Sequence, residues 1–420
     1  MRWMTAAGRG LLVLAVLVAG YAGVGPRQAE PGGRGPMTLV TAGDLTQYLG
    51  PLLADWNARH PREKVTLVEL PDSADETRSQ MITELRSGRG RYDILNIDVA
   101  WTPEFAAAGW IAPLDRSRFP LDSFLQPVLD TATFDSRLYA VPYVTNAGLL
   151  YYRKDVLEKA GERPPRTWEE LARQARTLAP EYGLEGYAGQ FLPYEGLTAN
   201  VTEAVRSAGG RLLGDEGARV TVDGDARQAL AFLSRGVREG WIPPEALRFK
   251  EEESREAFQQ GRYLFLRNWP YVYAMAGGED SRVAGDFGAV RLPGPEGPGT
   301  SVLGGSNLAV NADSRHRESA NRLIAYLTSE RVQRRVLTEG ALPPVRADLY
   351  RDPELVRDHP YLPTLRRSIM AAEPRPKSPR YDQVSLAVQA VAHDVLAQRQ
   401  TPGQAVARLE RELTAIARRD

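Results

Sequence analysis

The residues best suited to chemistry lie between Tyr92 and Phe105, where a short apolar run containing Ile94, Leu95 and Ile97 ends in Asp98 and is followed by Trp101. So short a run is too brief for a helix and predicts a buried strand, which places Asp98 where that strand leaves its sheet and opens on a crevice. A carboxylate beside an aromatic face suits a polyhydroxylated ligand: hydroxyls donate to the oxygens while the apolar face of a ring stacks on an indole. Aspartate is also a good cap for a helix opening at Pro103, and the residues alone leave cap and ligand group evenly matched.

Other groups carry comparable chemistry further along the chain. Trp269 and Tyr271 flank Pro270 after an apolar run; proline disfavours a regular central strand there, so an exposed bend with a stacking platform competes with simple core filling. Tyr194 and Glu195 form a similar aromatic and acidic pair. Arg375-Pro376 and Ser378-Pro379 bracket a rigid loop able to hold a planar five-donor fork, against the ordinary fate of a solvated arginine. Asn146 follows a strand, where it is either a turn residue or an amide that both donates to and accepts from hydroxyls. Asp98 and Glu195 also qualify as the carboxylate pair of a glycoside hydrolase. The histidines at 60, 316, 359 and 393 lack metal-ligand spacing, and neither a phosphate-cradling glycine loop nor a serine nucleophile elbow is found, so no cofactor or metal is expected.

The elements that must position these groups alternate. Met37 to Thr41 reads as a strand, Leu45 to Asn57 as an amphipathic helix, Lys64 to Leu70 as a strand, Thr77 to Ser87 as a helix closed by Gly88, and Tyr92 to Ile97 as a third strand, the pattern of a parallel α/β sheet. Leu138 to Val144 and Gly148 to Arg153 are strands with no helix between them, which predicts a crossing into a second lobe. That lobe is also α/β: Thr167-Trp168-Glu169-Glu170 is a capping box, Gly209-Gly210 ends a helix from Gly196, and helices over Gln228 to Arg238 and Glu251 to Gln260 precede a strand at Arg262 to Leu266. Further strands at Gly288 to Pro293 and Leu308 to Asn311 lead to helices at Ser319 to Leu327 and Glu330 to Leu337, and Val406, Leu409, Leu413 and Ile416 share one face of a last helix, read as core packing.

A chain of 420 residues favours two domains. Its 53 basic and 53 acidic side chains balance, which argues against a nucleic-acid footprint and for a small neutral ligand. Arg2 and Arg9 ahead of Leu11 to Val18 match an export signal or uncleaved anchor over residues 1–24, with residues 25–36 a flexible tether. Leu17-Val18-Ala19-Gly20 resembles a lipoprotein-processing box, but Tyr21 stands where the lipid-bearing cysteine is required. The chain has no cysteine at all, so neither disulfides nor thiol chemistry is available.

The stretch from Asp98 to Asp115, with Val141 to Asp155, Tyr194 to Leu197, Asn268-Trp269-Pro270, Leu303-Gly304-Gly305 and Arg375 to Tyr381, falls in an order that resembles the extracellular solute-binding proteins of carbohydrate ABC importers, of the trehalose- and maltose-binding type. The resemblance covers everything after the tether. It implies a two-lobe, periplasmic-binding-protein-like α/β fold with a ligand cleft between discontinuous lobes, the first comprising residues 37–142 and 284–328, the second residues 143–283 and 329–420. It implies a sugar held by Asp98, Asn146, Tyr194, Glu195, Trp269, Tyr271, Gly305 and Arg375, with Asp44 and Arg78 added by position and Arg380 as the fallback for Arg375. Asn146 stands where many relatives carry aspartate, and Ser306 where an aromatic residue is common. The expected function is capture of a small carbohydrate, a disaccharide such as trehalose or maltose, and delivery to the permease subunits of an importer by an exported monomer. The alternatives are an exported glycoside hydrolase and a binder of another solute such as a peptide or polyamine.

Overall fold

The computed structural model describes residues 33–214 and 217–418. The export signal and most of the tether fall outside the described residues. Residues 33–36 of that tether are held against the body, where the Gly35 N–H donates to Ser319 Oγ at 3.1 Å.

The principal strands are β1 (Met37–Ala42), β2 (Val65–Leu70), β3 (Ile94–Asp98), β4 (Ala140–Ala147), β5 (Leu149–Arg153), β6 (Glu185–Ala188), β7 (Tyr263–Asn268), β8 (Phe287–Arg291) and β9 (Leu303–Val310). They form a five-stranded sheet in the order β2-β1-β3-β9-β4 and a four-stranded sheet in the order β8-β5-β7-β6. In the first, β1 runs parallel to β2 and β3, while β9 is antiparallel to both β3 and β4. Leu39, Val40, Ile94, Leu95 and Ile97 are all fully buried. Their apolar run does not alternate because a parallel sheet is covered on both faces.

Helices α1 (Thr46–Arg59) and α2 (Ala74–Ser87) cover this sheet; α1 buries Leu49, Leu52, Leu53 and Trp56, the spacing of one helical stripe. Gly88 ends α2 in the left-handed conformation at φ 63°, which costs glycine nothing. The second lobe carries α3 (Trp168–Glu181), α4 (Glu195–Ser207) and α5 (Glu251–Gln259). After β9 come α6 (Arg317–Leu327), α7 (Glu330–Gly340) and α8 (Leu362–Met370), then α9 (Tyr381–Leu396) and α10 (Pro402–Ala417). Leu409 and Leu413 of α10 are buried in one core with Val384, Val388 and Val391 of α9, the packing role read from their spacing.

The chain passes between the sheets at Gly148 alone, again between β8 and β9, and a third time between α8 and α9. The second and third crossings are hydrogen-bonded: the Leu303 N–H donates to Glu373 O at 2.9 Å and the Glu373 N–H to Ser301 O at 3.1 Å.

Pairing corrects the lobe boundaries read from the sequence. All of β4 through Ala147 belongs to the first sheet, so residues 143–147 leave the second lobe. Strand β8 pairs with β5, which moves the start of the 284–328 segment into the second lobe. Helix α7 and the chain after it as far as α8 belong with the first, while α9 and α10 stay with the second: Gln333 of α7 donates to Tyr143 O at 2.9 Å, and the Thr145 N–H donates to Pro343 O at 3.1 Å. Pairing across more than a hundred residues decides these memberships, and local periodicity carries no trace of it.

The capping box at the start of α3 is formed in both directions, with Glu170 N–H on Thr167 Oγ1 at 3.1 Å and Thr167 N–H on Glu170 Oε2 at 3.0 Å. Thr167→Ala is expected to lower unfolding stability by about 1 kcal/mol, read as a shifted midpoint in urea titration with an unchanged slope.

Candidate binding cleft

The site grows from element ends. Asp98 terminates β3, Glu195 opens α4 in the other lobe, and Arg375 sits on the third crossing. Arg375 joins them: Nη2 donates to Asp98 Oδ1 and Nη1 to Glu195 Oε1, each at 2.5 Å. Glu195 also accepts from Tyr381 OH and Ser385 Oγ of α9, both at 2.5 Å. Asp98 Oδ1 accepts the Ala100 N–H at 2.8 Å in a local turn, but the short helix Thr102–Ala107 has Trp101 at its N-cap with no side-chain hydrogen bond, so Asp98 does not cap it.

Burial makes this pairing obligatory, since an unpaired ion in the interior loses its hydration without replacement. Arg375 is 4 % exposed. Burial alone would lower its pKa, but the charge of Asp98, with Tyr381 and Glu195, holds it well above the ordinary guanidinium value. Desolvation pushes the Glu195 carboxyl up, and the neighbouring Asp98 charge adds to this, while Arg375, Ser385 and Tyr381 oppose it.

The next residue back begins an aromatic wall. Tyr194 is buried and its hydroxyl donates to Glu251 Oε2 at 2.6 Å; burial and that carboxylate raise its pKa, so it remains a donor. Trp269 is half-buried, with Nε1 at 3.4 Å from Glu251 Oε1. Tyr271 OH donates to the adjacent Glu252 at 2.5 Å, so two carboxylates in the first turn of α5 orient this wall. A Cβ on Gly304 would lie 2.9 Å from the Trp269 ring and 3.3 Å from Asn146 Cβ, which sets Asn146, Gly304 and Trp269 side by side. Asp98, Asn146, Tyr194, Glu195, Trp269 and Arg375 thus form one connected set across both lobes.

Other sequence expectations fare differently. Trp101 is 4 % exposed and stacks on Phe105 in the core, so the indole near the carboxylates is that of Trp269. Arg78 is engaged elsewhere: it forks onto Glu104, with Nε to Oε2 at 2.9 Å, and lies 3.5 Å from Asp382 across the lobes. It borders a separate interlobe groove of about 570 Å³, also lined by Trp110, Arg380 and Gln383. Arg380 Nη1 donates to Ile416 O at 3.0 Å and so holds the end of α10. Asp44 lies in a single 3-10 turn, Gly43–Leu45, and its side chain is outside the described residues. Gly305 is required by its own sheet: at φ 104°, a Cβ would fall 2.2 Å from Val144 O. Ser306, the departure from an aromatic residue, is buried opposite Asp98 in the β9–β3 register.

Sequence reasoning missed several residues. Asp75 in the first turn of α2 has its carboxyl raised by desolvation and opposed by the Glu195 N–H, Arg78 and Lys250, so it too faces the opposite lobe. Starting α2 at Thr77 hid it; the acidic pair Asp75-Glu76 after Ser73 was the available signal. Tyr381, Ser385, Glu251 and Glu252 carry no local signal at all.

Two α/β lobes joined by three crossings, with polar and aromatic groups converging between them, define a two-lobe solute-binding protein. Residues 42–334 match the family of bacterial extracellular solute-binding proteins, and the chain belongs to it. It is 33% identical over 378 residues, 86% of this chain and 89% of the relative, to a probable ABC transporter-binding protein of Deinococcus radiodurans. It is similar to maltose-bound T. maritima MalE3, at TM-score 0.85 and 32% identity over 91% of this chain and 99% of that one. It is also similar to a solute-binding protein of Thermotoga lettingae bound with α-D-tagatose, at TM-score 0.81 and 25% identity over 91% of this chain and 100% of that one.

Removing the guanidinium gives a pH signature. In Arg375→Ala, Glu195 keeps its desolvation and loses its main counter-charge, so its pKa, already above 4.5, rises further. A raised carboxyl favours folding below its ordinary value, and that contribution is lost as pH rises through the folded-state value. The stability deficit of Arg375→Ala against wild type is therefore expected to be larger at pH 8 than at pH 5, reaching about 3–5 kcal/mol in denaturant titrations at the higher pH. Gly305→Ala is expected to cost about 1–3 kcal/mol through its backbone conformation and the Val144 clash, measured the same way.

Proposed function

We propose that this protein captures a small carbohydrate, a disaccharide of the maltose or trehalose class, between its lobes and delivers it to the permease subunits of an ABC importer outside the cytoplasmic membrane. The observation that carries this reading is the Asp98–Arg375–Glu195 bridge beside Tyr194, Trp269 and Asn146. Charged groups that fork onto hydroxyls and aromatic faces that stack on a ring are the complementary halves of a sugar surface. Both lobes contribute, so a bound ligand favours the closed arrangement by its difference in affinity for the two states. A micromolar affinity needs about −8 kcal/mol, which a few such hydrogen bonds and one or two stacks supply after the cost of association. The maltose in the similar T. maritima structure and the tagatose in the T. lettingae structure support the ligand class.

The hydrolase alternative fares worse on geometry. Asp98 and Glu195 hold the same guanidinium, and both Glu195 oxygens already accept protein donors, which suits a fixed binding group better than an acid that must pass its proton to substrate. Among the described residues no helix is long and apolar enough to cross a membrane, and no cluster of three metal-ligating acidic or histidine side chains occurs.

In isothermal titration, Asp98→Ala and Arg375→Ala are each expected to weaken maltose or trehalose binding at least tenfold while circular dichroism stays unchanged; unaltered titration curves would remove these residues from the site. Incubation with either disaccharide followed by chromatography should return it intact, and glucose in stoichiometric excess would favour the hydrolase. A thermal-shift panel that responds to spermidine or a dipeptide and to no saccharide would assign a different solute class.

A further inference from the structure

We infer that Arg267 is a positioning residue for the cleft, its guanidinium plane holding the Trp269 indole in place while its partner Glu203 fastens that plane to two of the three crossings between the lobes. The inference rests on the reading of Trp269 as a sugar-stacking platform. Arg267 is the penultimate residue of β7 and Trp269 immediately follows the strand, two residues on. The Arg267 guanidinium lies 4.0 Å from the Trp269 ring centroid.

Arg267 is 1 % exposed, and its edges are occupied. Nε and Nη2 fork onto Glu203 at 2.7 and 2.6 Å, and Nη1 donates to Gln190 Oε1 at 2.8 Å. With the edges bound, the flat face is what remains to meet the indole, the geometry in which a cation is drawn to an aromatic quadrupole. Burial by itself would lower the Arg267 pKa; the Glu203 charge overrides it and keeps the cation.

Glu203 does more than balance charge. Its Oε1 accepts from Ser301 Oγ at 2.8 Å and from the Val302 N–H at 3.3 Å, on the second crossing. Ser301 Oγ in turn accepts the Gly148 N–H at 2.6 Å, on the first. A Cβ on Gly148 would lie 2.5 Å from Glu203 Oε1 and 2.9 Å from Arg267 Nη2, so the crossing runs directly over the ion pair. The stacking surface and the hinge are therefore parts of one side-chain network. A lysine at 267 preserves a charge beside Glu203 but has no plane to set the ring.

The test is a double-mutant cycle of Arg267→Lys and Trp269→Ala on the full chain, read by maltose titration and by 19F NMR of protein carrying 5-fluorotryptophan, with the Trp269 resonance assigned from Trp269→Phe. Arg267→Lys is expected to shift the Trp269 resonance and leave the other tryptophans in place. It is expected to weaken maltose binding at least fivefold in the wild-type background and to have no further effect once Trp269 is alanine. An unmoved Trp269 resonance overturns the proposal, as does an equal loss of affinity in both backgrounds, which would mean that Arg267 acts through the hinge or stability alone. Trp269→Ala binding maltose as wild type does would remove the platform reading, while the resonance shift still decides whether Arg267 sets the ring. Should Arg267→Lys fail to fold, Gln190→Met keeps the Glu203 fork while removing the Nη1 acceptor, together with the Gln190 bonds to Ser254, Asn200 and the Arg267 carbonyl, and is expected to move the same resonance by less; no movement there counts against the proposal.

Discussion

Two guanidinium groups, Arg375 and Arg267, are buried where water does not reach them, and each therefore needs a carboxylate of its own. One carboxylate for each comes from α4, and Arg375 takes Asp98 of β3 as a second. Glu195 at its first position takes Arg375, and Glu203, eight residues and about 12 Å further along the axis, takes Arg267. Removing one partner from a buried pair costs far more than a surface pair ever contributes, because the remaining ion is left without solvent or counter-charge. This helix, buried on every side through Val205, is accordingly the rod on which the proposed binding groups and the crossings between the lobes are mounted.

The consequences follow from what each end of α4 reaches. Through Arg375, its first turn touches Asp98 of the first lobe and the third crossing, so the groups that would grip a ligand already connect the two halves of the molecule. Through Glu203, its later turns touch the first and second crossings. Polar contacts thus lie where the lobes meet, an arrangement in which a ligand's hydroxyls can influence the relative energy of open and closed states. The saturation of Glu195 by a guanidinium and two hydroxyls fits that role, since a fixed hydrogen-bonding group needs rigidity where a proton carrier needs a vacant coordination.

The aromatic wall obeys the same constraint at lower stakes. Tyr194, Trp269 and Tyr271 each anchor a polar tip on the carboxylates that open α5. Rings with bound tips have few rotamers to lose on meeting a ligand, which reduces the ordering cost of association.

Sequence by itself determined the features whose causes are local. The alternation of β1, α1, β2, α2 and β3, the capping box at Thr167, the glycine stop at Gly88, the position of Asp98 at a strand end and the bend at Pro270 all follow from neighbours a few residues away. The order of the motifs, by resemblance, pointed to the fold and the convergence of Asp98, Asn146, Trp269 and Arg375. Tertiary structure alone decided that β8 joins the second sheet, that α7 packs with the first, that Arg380 secures a helix end, and that Arg78 leaves the cluster for Glu104. It also decided that Asp75, Glu203 and Arg267 matter. The Arg375 contacts span 277 and 180 residues of chain, and which charge meets which at such distances depends on sheet pairing and desolvation, quantities that exist only once the chain has closed on itself.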